Sequence, residues 1–387
     1  MKIIQIVQKP QWRGAEIFAR QLSQTLRKLA HHVRTVYLYP HIGQTSSFAT
    51  RQTEKPFPLH ADDMCLNGNE NHFFEKMPGI NPFLLLQLIN QIEQFQPRVI
   101  QVNGARTIKY GTFAKRLTRH KAWVLIYRNI DNPRYWVRDP FRRFFYRKLV
   151  MPKVDGVIGV SENTLESVKS VHQFKAQAVY IPNGIDVAPL QNAKSLDDIP
   201  ADKKVVLFMG NLTRQKRPDR FLRVIKQVHT QYSNMEAWML GDGVLRETME
   251  KQAHDLGIAH VVRFLGYQDH IASYIARANM LLVTSDSDGI PAVILEAGYL
   301  RKPTIACRVG GIPECVRHGE TGILKSPDDE AGLAQAVLDL FENQERQTYL
   351  GDNARTWVET HFTMDNVARR YFKFYQQVLE NVKLPQD

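Results

Sequence analysis

Two carboxylates, Asp288 and Glu296, stand with seven residues between them inside the stretch 283–316, VTSDSDGIPAVILEAGYLRKPTIACRVGGIPECV. The apolar run before them ends in a Ser/Asp/Gly loop and reads as a buried strand. Pro291 fits the first turn of a helix, where its missing N–H costs nothing. Glu296 then lies five residues beyond Pro291, about 7.5 Å along the axis at ~1.5 Å per residue. A helix start presents unpaired N–H groups and a partial positive charge, so Gly289, Ile290, Pro291, Ala292 and Val293 form an anion-seeking turn. That suits a nucleotide diphosphate lying across the helix start, its ribose hydroxyls reaching Glu296. Asp286-Ser287-Asp288 also has the form of a D-x-D metal motif, although two hard oxygens in a loop equally serve as turn residues.

A second loop carries cations. Gly210 follows the apolar run 205–209 and Lys216 lies before the next helix, a geometry able to hold a phosphate. Arg214, Lys216 and Arg217 form a solvated basic loop equally well, and spacing alone does not choose between the two. Gly241 and Gly243 flank Asp242 in a turn that suits chain reversal as readily as ligand contact. Tyr267 and Gln268 end another strand, where an aromatic ring either packs or lies near a nucleotide base. Gly14, near the first strand–helix turn, brings backbone N–H groups toward a phosphate.

Those residues must be positioned by elements that alternate. Apolar runs at 3–7, 33–38, 99–102, 123–127, 154–160 and 178–181 read as strands, with helical periodicity at 14–30, 81–95 and 107–117. Residues 41–79 are polar and broken by Pro and Gly, an excursion with little regular structure. Residues 182–200 read as an interdomain linker. A second series follows, with strands at 205–209, 237–240, 261–265, 281–284 and 304–306 and helices at 219–230, 245–256 and 270–276. Residues 366–379 form an amphipathic helix. Alternation of this kind implies α/β domains with parallel sheets wrapped on both faces and ligands at the carboxyl ends of the strands. The expectation is two doubly wound Rossmann-like domains, 1–185 and 186–365, facing across a cleft, with 366–379 packing back on the first.

Composition narrows the class. The chain has 387 residues with 43% hydrophobic content, ample for two cores. It has no run of about 18 apolar residues and opens on a strand-like IIQIV, so neither a membrane span nor a signal peptide is read. Cys65, Cys307 and Cys315 point to a reducing compartment and lack metal-knuckle spacing. The net +12 is uneven: residues 1–185 hold 27 Lys+Arg against 12 Asp+Glu, and the remainder carries a net −3. The first half therefore faces something anionic.

Taken in order, further fragments become specific: RGAEIFARQLSQTL from Arg13, DGVIGVS from Asp155, IPNGID from Ile181, MGNLTRQKRPD from Met209, LGDG from Leu240, FLGYQD from Phe264, SDSDGIPAVILEA from Ser285 and VGGIPECVRHGETG from Val309. The chain resembles the retaining glycosyltransferases of family 4, which have the GT-B fold, over nearly its whole length. The resemblance implies that Lys216 binds the donor diphosphate, that Glu296 holds the ribose and that Asp288, where the family usually has Glu, approaches the donor sugar. Asn211 stands where the family often has Arg, and Arg214 is a candidate to supply that guanidinium. Arg13-Gly14 replaces the family's usual pair of Gly residues. Arg128 and Asn129 follow a strand where relatives often place an acceptor-side His, so Arg13, Arg128 and Asn129 are assigned to the acceptor side. The implied catalytic set is Lys216, Arg214 and Asp288. Gly14, Gly210, Asn211, Asp242, Tyr267, Gln268 and residues 289–293 with Glu296 bind the donor. No cofactor or metal is implied, because the nucleotide sugar is a substrate.

Residues 128–153 hold eight basic, two acidic and six aromatic side chains. From Asp139-Pro140 the helical pattern puts Phe141, Phe144, Phe145 and Leu149 on one face and Arg142, Arg143 and Arg147 largely on the other. That face lies on an anionic leaflet or in the domain core, and amphipathicity does not tell lipid from core. No nucleic-acid motif accompanies it. The expected partners are a nucleotide sugar, a glycan or lipid-linked acceptor and, through 134–150, an anionic membrane surface, at the cytoplasmic face of the cell membrane. The rival readings are another GT-B enzyme, such as a nucleotide-sugar epimerase or a phosphorylase, and a non-catalytic basic protein that binds membrane or nucleic acid.

Overall fold

The computed structural model describes residues 1–11, 14–40, 57–68, 79–130, 133, 137, 139–193, 203–382 and 384. The described residues up to Asn183, with the stretch from Met364, form one compact unit, and Gly184–Thr363 forms a second.

The first unit runs β1 (Lys2–Val7), α1 (Gly14–Lys28), β2 (His32–Tyr37), β3 (Met64–Cys65), α2 (Pro82–Phe95), β4 (Val99–Asn103), α3 (Ala105–Leu117), β5 (Val124–Asn129), α4 (Pro140–Phe145), β6 (Gly156–Gly159), α5 (Glu162–His172) and β7 (Gln177–Tyr180). Its strands form one parallel sheet in the order β3-β2-β1-β4-β5-β6-β7, with Ile3 opposite both Val33 and Val99. Strands covered on both faces carry nearly continuous apolar runs, which is why VIQVN and VLIYRN are buried throughout. Asn81 caps α2 by accepting from the Phe83 and Leu84 amides, with Pro82 in the first turn. The excursion expected at 41–79 falls mostly outside the described residues, and its described part adds the short edge strand β3.

The C-terminal helix Met364–Asn381 closes one face of this sheet. Val367, Tyr371, Phe374, Tyr375 and Val378 pack with Phe18, Leu22 and Leu26 of α1 over Ile3, Val99 and Ile126. Each such apolar side chain contributes about 1.5–3 kcal/mol before its entropy loss. Tyr375 also donates to Gln101 Oε1 at 2.5 Å, so the helix reaches the polar row at the sheet centre.

The second unit continues with β8 (Lys204–Met209), α6 (Pro218–Gln231), β9 (Met235–Leu240), α7 (Arg246–Asp255), β10 (Val262–Gly266), α8 (Ile271–Arg277), β11 (Met280–Val283), α9 (Ala292–Tyr299), β12 (Thr304–Cys307), α10 (Ile312–Cys315), β13 (Gly322–Lys325), α11 (Glu330–Glu342) and α12 (Gln344–His361). Its parallel sheet has the order β10-β9-β8-β11-β12-β13, the doubly wound order that reverses direction between β8 and β11. The loops after those two strands are therefore brought together at the crevice where such sheets take ligands. Helices α5, α10, α11 and α12 and strand β13 go beyond the sequence reading. The α5 cap is a box closed by Thr164 rather than Glu or Gln, and α12 carries many polar residues and an internal Gly351, which blurs its period. Of the expected linker, residues 194–200 lie outside the described residues, and 188–190 make one tight turn.

Candidate active site

In the second unit the loops after β8 and β11 are zipped together by hydrogen bonds. The Gln215 amide donates to Ser287 O at 2.7 Å, and the Asp286 N–H donates to Gln215 O at 2.9 Å. Thr284 Oγ1 donates toward Lys216 O at 3.2 Å and Arg217 O at 2.9 Å. Beneath them Arg220, only 4% exposed, donates to Thr284 O at 2.6 Å and to Asp286 Oδ1 at 2.8 Å. Arg217 takes a left-handed φ of 50° and is held there by ion pairs to Asp219 and Asp286, both at 3.0 Å. Partial burial opposes ionisation of Asp286, yet the Arg217 and Arg220 guanidiniums hold its carboxyl below the usual range.

Lys216 and Asp288 meet on this scaffold. Lys216 Nζ donates to Asp288 Oδ2, which also accepts from Ser285 Oγ at 3.3 Å. Both members of Asp286-Ser287-Asp288 thus face cations of the chain itself. Among the described residues no group of three or more His, Cys, Asp and Glu side chains is placed to hold a metal ion. Arg214 is exposed and its guanidinium has no partner among the described residues, so the basic loop divides into one free cation and two engaged ones.

Pro291 is the N-cap of α9, in extended geometry, rather than a residue of its first turn. It lends no side-chain hydrogen bond, and the first turn holds no acidic residue, so the backbone N–H groups of Ala292 and Val293 remain for a ligand. Gly289 and Ala292 are exposed and Ile290 is buried beneath them. Glu296, one turn on, has no hydrogen-bond partner among the described residues. Burial without a counter-charge pushes its carboxyl up to about 7.

The remaining second-unit candidates divide. Tyr267, 37% exposed, donates its hydroxyl to Asn211 Oδ1 at 3.1 Å, placing both beside Gly210. Gln268 donates to Leu265 O at 2.7 Å and accepts from Tyr274 at 3.0 Å, so its amide is held by the chain. Asp242 accepts from the Gly243 N–H at 2.7 Å and from Arg246 at 3.3 Å, the role of a turn residue. Gly241, at φ 120°, lies so close to Gly210 that an added Cβ would meet Gly210 O at 2.1 Å.

In the first unit the sheet reverses direction between β1 and β4. A cavity of about 210 Å³ opens there, bordered by Gln8, Glu16, Asn103, Gly104 and Arg106. Gly14 is exposed at the start of α1 with open space where a Cβ would stand. Arg13 lies outside the described residues. Arg128 and Asn129 correct the acceptor-side assignment: both are fully buried and bond to the chain. Arg128 donates to Tyr371 at 3.1 Å and Asn183 at 2.6 Å and lies 4.0 Å over the Phe18 ring, while Asn129 donates to Thr164 O at 3.1 Å. They order the carboxyl edge of the sheet and do not present themselves to a ligand.

Comparison with known proteins gives this arrangement a lineage. Residues 12–189 match the profile of the family described as Glycosyltransferase Family 4, and 192–357 match that of Glycosyl transferases group 1. The chain belongs to the family 4 glycosyltransferases of the GT-B fold. It is 28% identical over 218 residues to N-acetyl-alpha-D-glucosaminyl L-malate synthase of Bacillus anthracis, 56% of each chain. It is 27% identical over 176 residues to the lipopolysaccharide core biosynthesis glycosyltransferase LpsE of Rhizobium meliloti, 46% of this chain and 51% of the relative. The chain thus spans about half the length of these curated relatives. In fold it is similar to Alr3699/HepE of Anabaena, solved with UDP and glucose, at a TM-score of 0.76 and 19% identity, covering 97% of this chain and 100% of that one.

Two features of this family 4 chain have a geometry that its motifs do not disclose. Gly310, at φ 54°, lets the turn after β12 press on the β11 loop: an added Cβ would stand 1.8 Å from Asp288 O, and the Gly311 N–H donates to that oxygen at 2.9 Å. Gly310→Ala is expected to destabilise the protein by about 3 kcal/mol or more and to weaken nucleotide binding. Gly257→Ala, with φ 70° and open space around it, should cost only about 1 kcal/mol. Equal losses in thermal denaturation of the two variants would remove the clamp.

The basic arm that begins at Asp139 and runs to Lys153 is the second. Asp139 caps α4 by accepting from the Arg142 N–H at 2.7 Å, and the chain continues through a wider turn, Tyr146–Val150, and a tight one, Met151–Lys153. Tyr146, Val150 and Met151 are its buried anchors. Phe141 and Phe144 are 77% and 59% exposed and Leu149 is exposed too, whereas Phe145 is half-buried against the first-unit core, so the face is split between solvent and core. Arg147 donates to Val171 O at 3.0 Å and so is drawn in toward α5.

Proposed function

We propose that this chain transfers a sugar from a nucleotide diphosphate sugar, UDP- or GDP-linked, to a hydroxyl of a lipid-linked or polysaccharide acceptor, with retention at the anomeric carbon. The observation that carries this reading is the convergence, at the crevice between β8 and β11, of Lys216, the open N-terminus of α9, and Arg214 and Glu296, which have no partner among the described residues. The diphosphate takes the cations and the Ala292 and Val293 N–H groups, and the ribose hydroxyls take Glu296. As the acceptor oxygen bonds to the anomeric carbon, the bond from that carbon to the phosphate oxygen breaks on the same face. The departing phosphate oxygen accepts the acceptor's proton, so the step balances without a protein base. Lys216, Arg214 and the α9 N–H groups stabilise the charge that develops, and on that supply of positive charge we assign the reaction neither metal nor cofactor.

The Anabaena structure holding UDP and glucose supports a UDP-sugar as the first donor to try, and the Rhizobium lipopolysaccharide relative supports an acceptor in surface-glycan synthesis. We assign the acceptor to the first-unit cavity beside Glu16 and Arg106. The exposed Phe141, Phe144 and Leu149 of the arm, flanked by Arg142, Arg143 and Lys148, suit an anionic leaflet at the cytoplasmic face of the cell membrane. Among the described residues no helix is long and apolar enough to cross a membrane. A thermal-shift screen of UDP- and GDP-sugars followed by product analysis tests the reading: the best donor should yield a linked product of unchanged anomeric configuration. A free sugar altered in the product would support an epimerase instead, and nucleotide binding unchanged in both Lys216→Ala and Glu296→Ala would overturn the donor site.

A further inference from the structure

At the far end of α3 from the acceptor cavity, a separate cavity of about 340 Å³ is bordered by Lys115, Arg116, Lys121, Lys153 and Trp123. Its charges do not cancel. Lys115 is paired with Asp155, whose carboxylate also accepts the Leu125 N–H at 2.6 Å. Arg116 donates to Leu149 O at 2.6 Å, and Lys121 Nζ donates to Lys115 O and Arg116 O, both at 3.1 Å, so these two cations are held in place by neutral carbonyls. Lys153 is exposed and has no partner among the described residues. Burial, together with the nearby Lys153 and Lys121 charges, holds the Lys115 ammonium below its usual range even though Asp155 works the other way. Three positive charges thus face one cavity with no acid of their own among the described residues, and an anion entering it relieves their repulsion.

We propose that this cavity binds the phosphate of an anionic phospholipid headgroup. The proposal deepens the membrane reading above and rests on it. Four cations around one concavity suit a compact, multiply charged tetrahedral anion, and Lys acts as a point-charge phosphate binder. The lipid source follows from the exposed apolar side chains of the two elements that Arg116 joins, the end of α3 and the arm. Arg116 ties the cavity to Leu149 of the arm, and Leu149, Leu117, Phe141 and Phe144 are all exposed, the last three 58%, 77% and 59%. A free phosphate gains nothing from exposed aromatic and aliphatic side chains. A headgroup phosphate lies at the level of the bilayer where basic side chains end and apolar ones enter.

Vesicle co-sedimentation of the full chain tests this, using phosphatidylcholine alone and phosphatidylcholine doped with phosphatidic acid. The wild type should bind the doped vesicles, and Lys121→Gln/Lys153→Gln should bind them roughly 30-fold more weakly. Lys121→Arg/Lys153→Arg should restore binding, and an unchanged melting temperature and nucleotide-induced shift would show that the fold is intact. Equal binding by wild type and the Gln pair overturns the cavity. Stabilisation of the wild type by inorganic phosphate without sedimentation on doped vesicles overturns the lipid source. Phe141→Ser/Phe144→Ser separates the two readings: if it binds as well as wild type while the Gln pair does not, the arm reading fails and the cavity stands, and the reverse result rejects the cavity alone.

Discussion

Glu296→Gln is expected to make the ligand-free protein more stable at pH 8 while weakening its grip on nucleotides. The carboxyl is raised by burial from 4.5 to about 7, so the native state holds its proton more tightly than the unfolded chain. Below the unfolded value both states are protonated and nothing is lost. As pH rises from 4.5 toward 7 the unfolded chain ionises first, and native stability falls by up to about 3 kcal/mol. Part of the side chain meets solvent, which makes that figure a ceiling. Gln carries no such penalty, and a gain on the order of 5–10 °C in melting temperature at pH 8 should vanish at pH 4. Two ribose hydroxyls then lose a charged acceptor, and nucleoside diphosphate affinity should drop at least tenfold, since hydrogen bonds to a charged group contribute about 1.5–3 kcal/mol. Parallel pH–stability curves for the two proteins would sink the assignment.

Lys216 and Asp288 carry the second large effect, in opposite directions. In the ligand-free site Asp288 occupies the ammonium that the proposed reading gives to the diphosphate. Lys216→Ala removes the cation and leaves Asp288 to repel the phosphate, so kcat/KM for transfer should fall by about 10²–10³. Asp288→Asn frees Lys216, and binding of UDP alone should tighten several-fold. Turnover of the intact donor should nevertheless fall, because the carboxylate assigned to the sugar is gone. A double-mutant cycle on UDP affinity reads the coupling directly. Additive effects would mean that the pair does not exchange one partner for another on binding.

How much of this was visible in the chain of letters depends on the kind of interaction. Apolar runs such as VIQVN and MLLV announce buried parallel strands, and the Asn81-Pro82 cap announces its helix, because burial and capping leave local marks. The family pattern, not spacing, is what singles out Glu296 and Lys216 as candidates. Arg220 was not legible: one Arg in an amphipathic helix looks solvated, and only the fold brings Thr284 and Asp286 to it. Gly310 was quoted in a motif, but its closeness to Asp288 O is a long-range steric fact. Arg128 failed differently. Its position after a strand suggested a ligand, whereas Tyr371, 243 residues later, is what meets it. The cavity beside Asn103 and Arg106 had one available signal, the reversal of sheet order, which spacing does not disclose.

The return of the C-terminal helix to the first unit bears on how the protein is born. On the ribosome, β1–β7 emerge with Ile3, Val99 and Ile126 covered only by Phe18, Leu22 and Leu26 of α1, because Tyr371, Phe374 and Val378 have not yet been synthesised. Gly184–Thr363 is uninterrupted along the sequence and can close its own core first. The usual N-to-C order of domain maturation is therefore inverted, and the nascent first half is the stretch of this chain most in need of a chaperone.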